Sequence, residues 1–245
     1  WIPNIRTDAY QVYTNTGSAG SYRAIGAPQV IYAGESQIEI LATKLGMDPA
    51  ELRMKNLLKS GQELRPGLKG IDADLSSSLK TLVRASGWKK SLKKNHAPIG
   101  MGCAITNAGA TPVSVALIRM QSDGIANISA GSTEMGQGVR TTLTQIAAEE
   151  LTLPMESFRM LGADTKVTPY DSSTGSSRST TLMGTAVQKA ARDMKQQFIK
   201  IGAQTMDVKP SQVQVADGAL ICGESRLTFK EAFERRFGKG SGGEM

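Results

Sequence analysis

Gly131-Ser-Thr-Glu-Met-Gly-Gln-Gly138 decides how this chain is read, because of what stands on either side of it. Upstream, Ile125 to Ala130 has the composition of a strand; downstream, Val139, Leu143, Ile146 and Ala147 recur at helical spacing. A strand running through a Gly-bounded turn into an amphipathic helix is a backbone made for ligands. The first four N–H groups of a helix lack intrahelical partners and carry the positive end of its dipole, so glycine in front of them lets an anion approach. Gly136-Gln-Gly138 alone is ordinary turn geometry, and the dinucleotide fingerprint is absent because Thr141 stands where its last glycine would be. Gln137, at the apex, can both donate and accept hydrogen bonds.

Two more turns of the same kind lie outward from this one. Ser18-Ala-Gly-Ser-Tyr-Arg-Ala-Ile-Gly26 precedes a helix expected over Pro28 to Leu45, and Ser172-Ser-Thr-Gly-Ser-Ser-Arg-Ser179 precedes a long helix carrying Met183, Val187, Ala190, Ala191, Met194, Phe198 and Ile201. Three such turns suggest one large ligand anchored at several points. Arg23, beside Tyr22, offers a forked guanidinium to a phosphate or oxo group, the alternative being a surface ion pair. The third turn carries more hydroxyls than helix capping requires, which points to a polar cofactor, with a flexible serine loop as the alternative.

The other elements follow from caps and periodicity. Asp48-Pro-Ala-Glu51 starts a helix through Leu58, and Leu75, Leu79, Leu82 and Val83 mark another from Asp72 or Asp74 to near Gly87. Lys89 to Pro98 reads as an exposed linker and the best boundary, giving lobes over 1–95 and 96–245. Strands are expected over Ile99 to Thr106 and Val113 to Met120, the latter turning at Ser122 to Gly124 into Ile125 to Ala130. A further strand is expected near Phe158 to Gly162, and Val213 to Val215 with Leu220 to Cys222 make a hairpin. Thr228 starts a last helix through Phe237, and Gly238 to Met245 reads as a disordered tail. The fold class is α+β, in two lobes of packed helices and short antiparallel sheets.

Composition bounds the function. With 40% hydrophobic and 21% charged residues, the chain is globular and not disordered. No apolar run spans a bilayer and no leader is evident, so a cytoplasmic location is expected; the start at Trp1 without a methionine reads as an internal fragment. Cys103 and Cys222 fit isolated buried thiols better than a disulfide or zinc site, and His96, the single histidine, is placed on the surface. Net charge is +7, and no Asp or Glu occurs between Ser76 and Ser122, which makes a basic face for solvent or an acidic partner. Nucleic-acid binding lacks the aromatics and motifs that would accompany it.

Tyr22-Arg-Ala-Ile-Gly-Ala-Pro-Gln29, Gly131 to Gly138 and Pro169-Tyr-Asp-Ser-Ser-Thr-Gly-Ser-Ser-Arg-Ser179 follow one another in an order and spacing that resembles the xanthine dehydrogenase and aldehyde oxidase family of molybdenum hydroxylases. The similarity runs from Ile2 to about Phe237 and corresponds to the middle of the family's molybdopterin-binding large subunit. The resemblance implies molybdopterin with molybdenum, in its cytosine dinucleotide form, with iron–sulfur clusters and FAD on partner domains. It implies cofactor contacts at Arg23, Met135, Gln137, Gly138, Ser176, Ser177, Arg178, Ser179 and Thr180, and a substrate contact at Ile25. The implied reaction hydroxylates a C–H of a heterocycle or aldehyde with oxygen from water.

The departures are specific. The family's Gly-Val-Gly-Glu motif, which carries its catalytic glutamate, is absent, as is its Gly-Gly-x-Phe-Gly segment. No catalytic residue is therefore assigned, and the isolated chain is expected to be inactive. Ala24-Ile25 stands where many relatives have Gly-Phe, removing a ring that would stack on a flat substrate. The expected partners are the remaining molybdopterin-binding portions, an iron–sulfur subunit and an FAD subunit, with a homodimer of the fragment in isolation. The other readings are a noncatalytic assembly module that has lost the cofactor and a generic nucleotide binder.

Overall fold

The structure is a computed structural model that describes residues 4, 6–20, 22–64, 66–93, 97–105, 113–162 and 164–239. It divides into two compact units, Trp1–Thr106 and Asn107–Met245. The expectations for His96 and for the tail beyond Lys239 fall outside the described residues.

The first unit is helical. Helix α1 (Ala27–Leu45) starts with Pro28 and stops at Gly46, whose left-handed conformation lets its N–H reach back to the last carbonyls. Helix α2 (Pro49–Asn56) is capped by Asp48, and α3 (Leu75–Ala85) by Asp74. The segment read as a linker instead begins with a short helix, α4 (Trp88–Ser91). Its Trp88 ring is buried, and the indole N–H donates to Asp48 Oδ1 at 2.9 Å, so an aromatic anchor outweighs the lysines that follow it. No strand forms over the described part of 99–106. That stretch is held instead by an ion cluster around the buried Arg53 side chain. Arg53 pairs with Glu35 and Glu39, each at 2.8 Å, and donates to Met101 O at 3.0 Å, while Glu35 also accepts from the Cys103 N–H at 2.9 Å.

Among its described residues the second unit holds two three-stranded sheets. Strands β1 (Ala116–Met120) and β2 (Ala126–Ala130) form the expected antiparallel hairpin. After α5 (Val139–Leu151), β3 (Phe158–Leu161) pairs with β2 in parallel, so this sheet is mixed and not purely antiparallel. The reason lies in the connection: a helix between two adjacent strands returns the chain to the edge it left from. A π-helical turn (Ser179–Met183) leads into α6 (Gly184–Met206). Strands β4 (Gln214–Ala216) and β5 (Ala219–Cys222) make the second hairpin, extended by β6 (Ser225–Thr228) before α7 (Phe229–Phe237). Cys103 and Cys222 are free and half-buried.

Helix α6 belongs to two cores. At its head, Met183 of the π turn and Val187 pack with Ile128, Val139, Leu143 and Ala147. Further along, Ala191, Met194, Phe198 and Ile201 pack with Leu220 and Phe233, and the Phe198 and Phe229 rings stack with centroids 4.3 Å apart. Ile146 lies against Gly184, and Glu150, further along α5, meets Arg192 and Lys195, further along α6. Contacts that advance together mean parallel helices, so α5 and α6 begin at the same end of the unit.

Candidate cofactor-binding site

The second and third Gly/Ser turns meet for a topological reason. Each follows one of the parallel strands β2 and β3, so both leave the same edge of the sheet, where open α/β sheets place their ligands. Contacts join them directly. The Thr133 N–H donates to Thr174 Oγ1 at 2.8 Å, and the Ser132 hydroxyl donates to Asp171 Oδ2 at 3.2 Å. Gly131 has no room for a side chain: a Cβ there would lie 2.7 Å from the Asp171 Cβ and 2.9 Å from the Pro169 carbonyl oxygen.

The buckle of this assembly is Arg178. Its motif points to a ligand contact, but its side chain and that of Asp171 are both 2% exposed and form an ion pair. The guanidinium also donates to the Ser173 carbonyl, the Val113 carbonyl and Ser114 Oγ, and the Ser114 hydroxyl donates to Asp171 at 2.9 Å. Burial raises the Asp171 carboxyl, but hydrogen bonds from Arg178 and Ser114, the Arg178 charge and the Ser172 N–H together pull it below its usual value. The guanidinium thus points into the protein and fixes the turn from behind.

In front of that anchor, Gly175 to Arg178 makes a tight turn closed by Arg178 N–H to Gly175 O at 3.1 Å. Its central residues, Ser176 and Ser177, have φ of +50° and +54°, the geometry of a type I′ turn normally given to Gly or Asn. Both serines are exposed, as is Thr180, while Ser179 is half-buried. The π turn at the head of α6 adds another irregularity of a kind common at functional sites.

The Gly131–Gly138 turn departs from its simplest reading. The Glu134 carboxylate occupies the amino end of α5, one oxygen accepting from Gly136 N at 2.8 Å and Gly138 N at 3.0 Å, the other from Arg140 N at 3.2 Å. These bonds hold the carboxyl below its ordinary range, the Gly138 N–H contributing most. Three of the donors an external anion would use, those of Gly136, Gly138 and Arg140, are thus taken by an internal one. A glutamate four residues before the glycine that opens the helix was the available signal for this, and sequence reasoning missed it. Gln137 is exposed and folded onto its own turn, accepting from Met135 N at 2.6 Å and donating to Thr133 O at 2.8 Å. Met135 is 65% exposed.

Arg23 and Ile25 belong to the first unit and are described there alone. Both are exposed. The turn that carries them is strained: Ala24 and Ile25 have φ of +62° and +31°, a conformation costly for any side chain and most of all for a β-branched one. Among the described residues no three of His, Cys, Asp and Glu gather as metal ligands.

The two joined turns therefore expose uncharged donors and acceptors, Gln137 on one and Ser176, Ser177 and Thr180 on the other, as a candidate site. This suits a polar heterocycle with many hydrogen-bonding edges, and it fits molybdopterin, which brings its own sulfur ligands for the metal. A family model for a molybdopterin cofactor-binding domain matches residues 78–244, and a second one of the same description matches residues 1–57. The putative xanthine dehydrogenase molybdenum-binding subunit of Escherichia coli K12 is 31% identical over 226 residues, covering 85% of this chain and 30% of that protein. The carbon monoxide dehydrogenase large chain of Hydrogenophaga pseudoflava is 30% identical over 239 residues, covering 86% of this chain and 30% of that protein. The structure of CO dehydrogenase from Oligotropha carboxidovorans superposes with a TM-score of 0.73 at 27% identity, over 90% of this chain and 32% of that one. The chain thus spans about a third of the length of the proteins it matches.

Proposed function

We propose, from the premise that this chain belongs to the molybdopterin cofactor-binding domain family, that it supplies part of the cofactor cradle of a molybdenum hydroxylase large subunit. The observation that carries this reading is the joining of two ligand-type turns at one sheet edge, with uncharged polar side chains facing outward and their charged anchor buried. When bound, molybdopterin supplies the redox-active metal on its dithiolene. Gln137, Met135 and the backbone at Gly138 contact the pterin, while Ser176, Ser177, Ser179 and Thr180 hold the pterin and the cytosine dinucleotide. Arg178 acts through these residues and does not touch the ligand. Arg23 contacts the cofactor near its metal, and Ile25 faces substrate as a non-aromatic wall. The lobes contributing these residues are 1–95 and 96–245.

The whole protein's reaction is hydroxylation of a heterocycle or aldehyde C–H with water, electrons leaving through iron–sulfur and FAD partners. Relatives named as parts of dehydrogenases support this reading. No residue of this chain is assigned as the reaction's base, and the chain by itself does not turn over. The deciding experiment is to assemble the chain with the remaining portions of such a large subunit under molybdenum supply, then measure metal and acid-released cytosine nucleotide. Near-stoichiometric amounts of both are expected; neither in a well-folded assembly would reject the reading.

One observation favours a second reading, an assembly module that has lost its ligand: Gln137 and Glu134 satisfy the second turn internally. Under that reading Arg23→Ala and Gln137→Ala leave the metal content of the assembly unchanged. Under the cradle reading each lowers it severalfold.

A further inference from the structure

We propose that Glu134 is a positioning residue that closes the amino end of α5 to anions and sets the Gly131–Gly138 turn in its ligand-facing shape before any ligand arrives. The inference rests on the cradle reading and deepens it. This turn receives an uncharged, hydrogen-bonding part of the ligand and not a phosphate.

A helix amino end attracts anions through its unpaired N–H groups and its dipole. Here the donors of Gly136, Gly138 and Arg140 are bound by both oxygens of one carboxylate, at 2.8, 3.0 and 3.2 Å. A phosphate at the same place would meet a like charge within a few ångströms, or would have to displace a group tethered two to six residues from its donors. The first alternative is repulsive, and the second competes against a high effective concentration. The N–H groups of Gly138, Arg140 and Gly136 favour the charged form of the Glu134 carboxylate, the Gly138 N–H most, and the Arg140 side-chain charge adds the smallest share. Closure to anions is thus a property of the turn itself.

The same carboxylate sets the shape of the turn. Gly136 and Gly138 have φ of +90° and +78°, and both are tied to one oxygen, which fixes the loop between them. That loop carries Gln137, whose amide is bonded to Met135 N and Thr133 O. A primary amide has a second N–H and a second carbonyl lone pair, so Gln137 arrives oriented and still able to pair with a ligand. Orientation fixed beforehand lowers the entropy lost on binding.

The test uses the 245-residue chain labelled with nitrogen-15 and titrated with inorganic pyrophosphate, followed at the amides of Gly136, Gly138 and Arg140. In the unsubstituted chain these resonances are expected to stay in place through the millimolar range. In Glu134→Gln, which removes the charge at constant size, they are expected to move and saturate with an apparent affinity at least about tenfold higher. Hydrogen exchange at Met135, Gly136 and Gly138 is expected to quicken in the variant by about tenfold or more. Equal pyrophosphate midpoints in the two proteins, or unchanged exchange, would overturn the proposal. Should the variant not fold, the unsubstituted chain decides alone: saturable movement of these amides at submillimolar pyrophosphate overturns the claim. Failure of the cradle reading looks different, as an assembly without molybdenum whose α5 amides still ignore pyrophosphate.

Discussion

Arg178 shows how far a single side chain can be from its expected task. Its place in a serine-rich turn suggests a ligand contact, and a partner of opposite charge seven residues earlier, Asp171, is the sign that it turns inward. Breaking a buried pair by removing one partner costs about 3–5 kcal/mol, because the other charge is left stranded. Arg178→Met is therefore expected to lower the unfolding free energy, read from the urea midpoint multiplied by the slope m, by an amount near that loss. The pair also fixes an acid limb. Since the folded Asp171 carboxyl lies below its usual value, its stabilisation is complete above the unfolded value of about 3.9 and disappears as pH falls through the lower folded value. Urea midpoints measured from neutral pH downward should hold until roughly pH 4 and then drop, and Asp171→Asn should flatten that drop. Ser176 and Ser177 test the opposite case, in which function keeps a locally unfavourable residue. Glycine at both relieves the left-handed strain by about 1 kcal/mol or more, so stability should hold or rise. Cofactor retention in the assembly should nevertheless fall, because both hydroxyls are lost.

At the level of elements, what the sequence shows and what it hides divide along a physical line. Helices α1, α2, α3, α5 and α6 were legible because caps and a 3.6-residue period are local properties. The parallel pairing of β2 with β3 was not, because a four-residue strand carries no mark of its neighbour's direction. Strand β6 was hidden for a similar reason: within Ser225-Arg-Leu-Thr228 only Leu227 is buried, so alternation has almost nothing to act on. The missed pairing matters most for the site, since two parallel strands send both turns to one edge. At that edge the limiting contact is Gly131 against Asp171 and Pro169. Gly131→Ala forces backbone apart and should cost about 1–3 kcal/mol in thermal or urea unfolding. It should also loosen the Thr133 to Thr174 bond, read as faster hydrogen exchange at the Thr133 amide.

For the molecule as a whole, the periodicity that located α1 did not reveal what covers it. Leu41 and Leu45 belong to the apolar stripe from which that helix was read, yet they are 45% and 58% exposed, and Val30, three turns earlier on the same face, is 73% exposed. Of the residues in α1, only Ala42 is buried. A hydrophobic pattern records which positions avoid water, not which surface receives them, and this chain spans about a third of the proteins it matches. Contiguous apolar surface of this kind drives association when nothing else covers it. The 245-residue chain on its own is therefore expected to self-associate, with a sedimentation coefficient that rises with protein concentration. Placing charge on the face with Val30→Glu and Leu41→Glu should return it to a monomer without lowering its melting temperature, because neither side chain is part of a core. A chain that sediments as a monomer at every concentration would show that the face tolerates water. Association that persists undiminished in the double variant would move the contact elsewhere, with Tyr10 and Tyr13, 87% and 106% exposed, the next positions to charge.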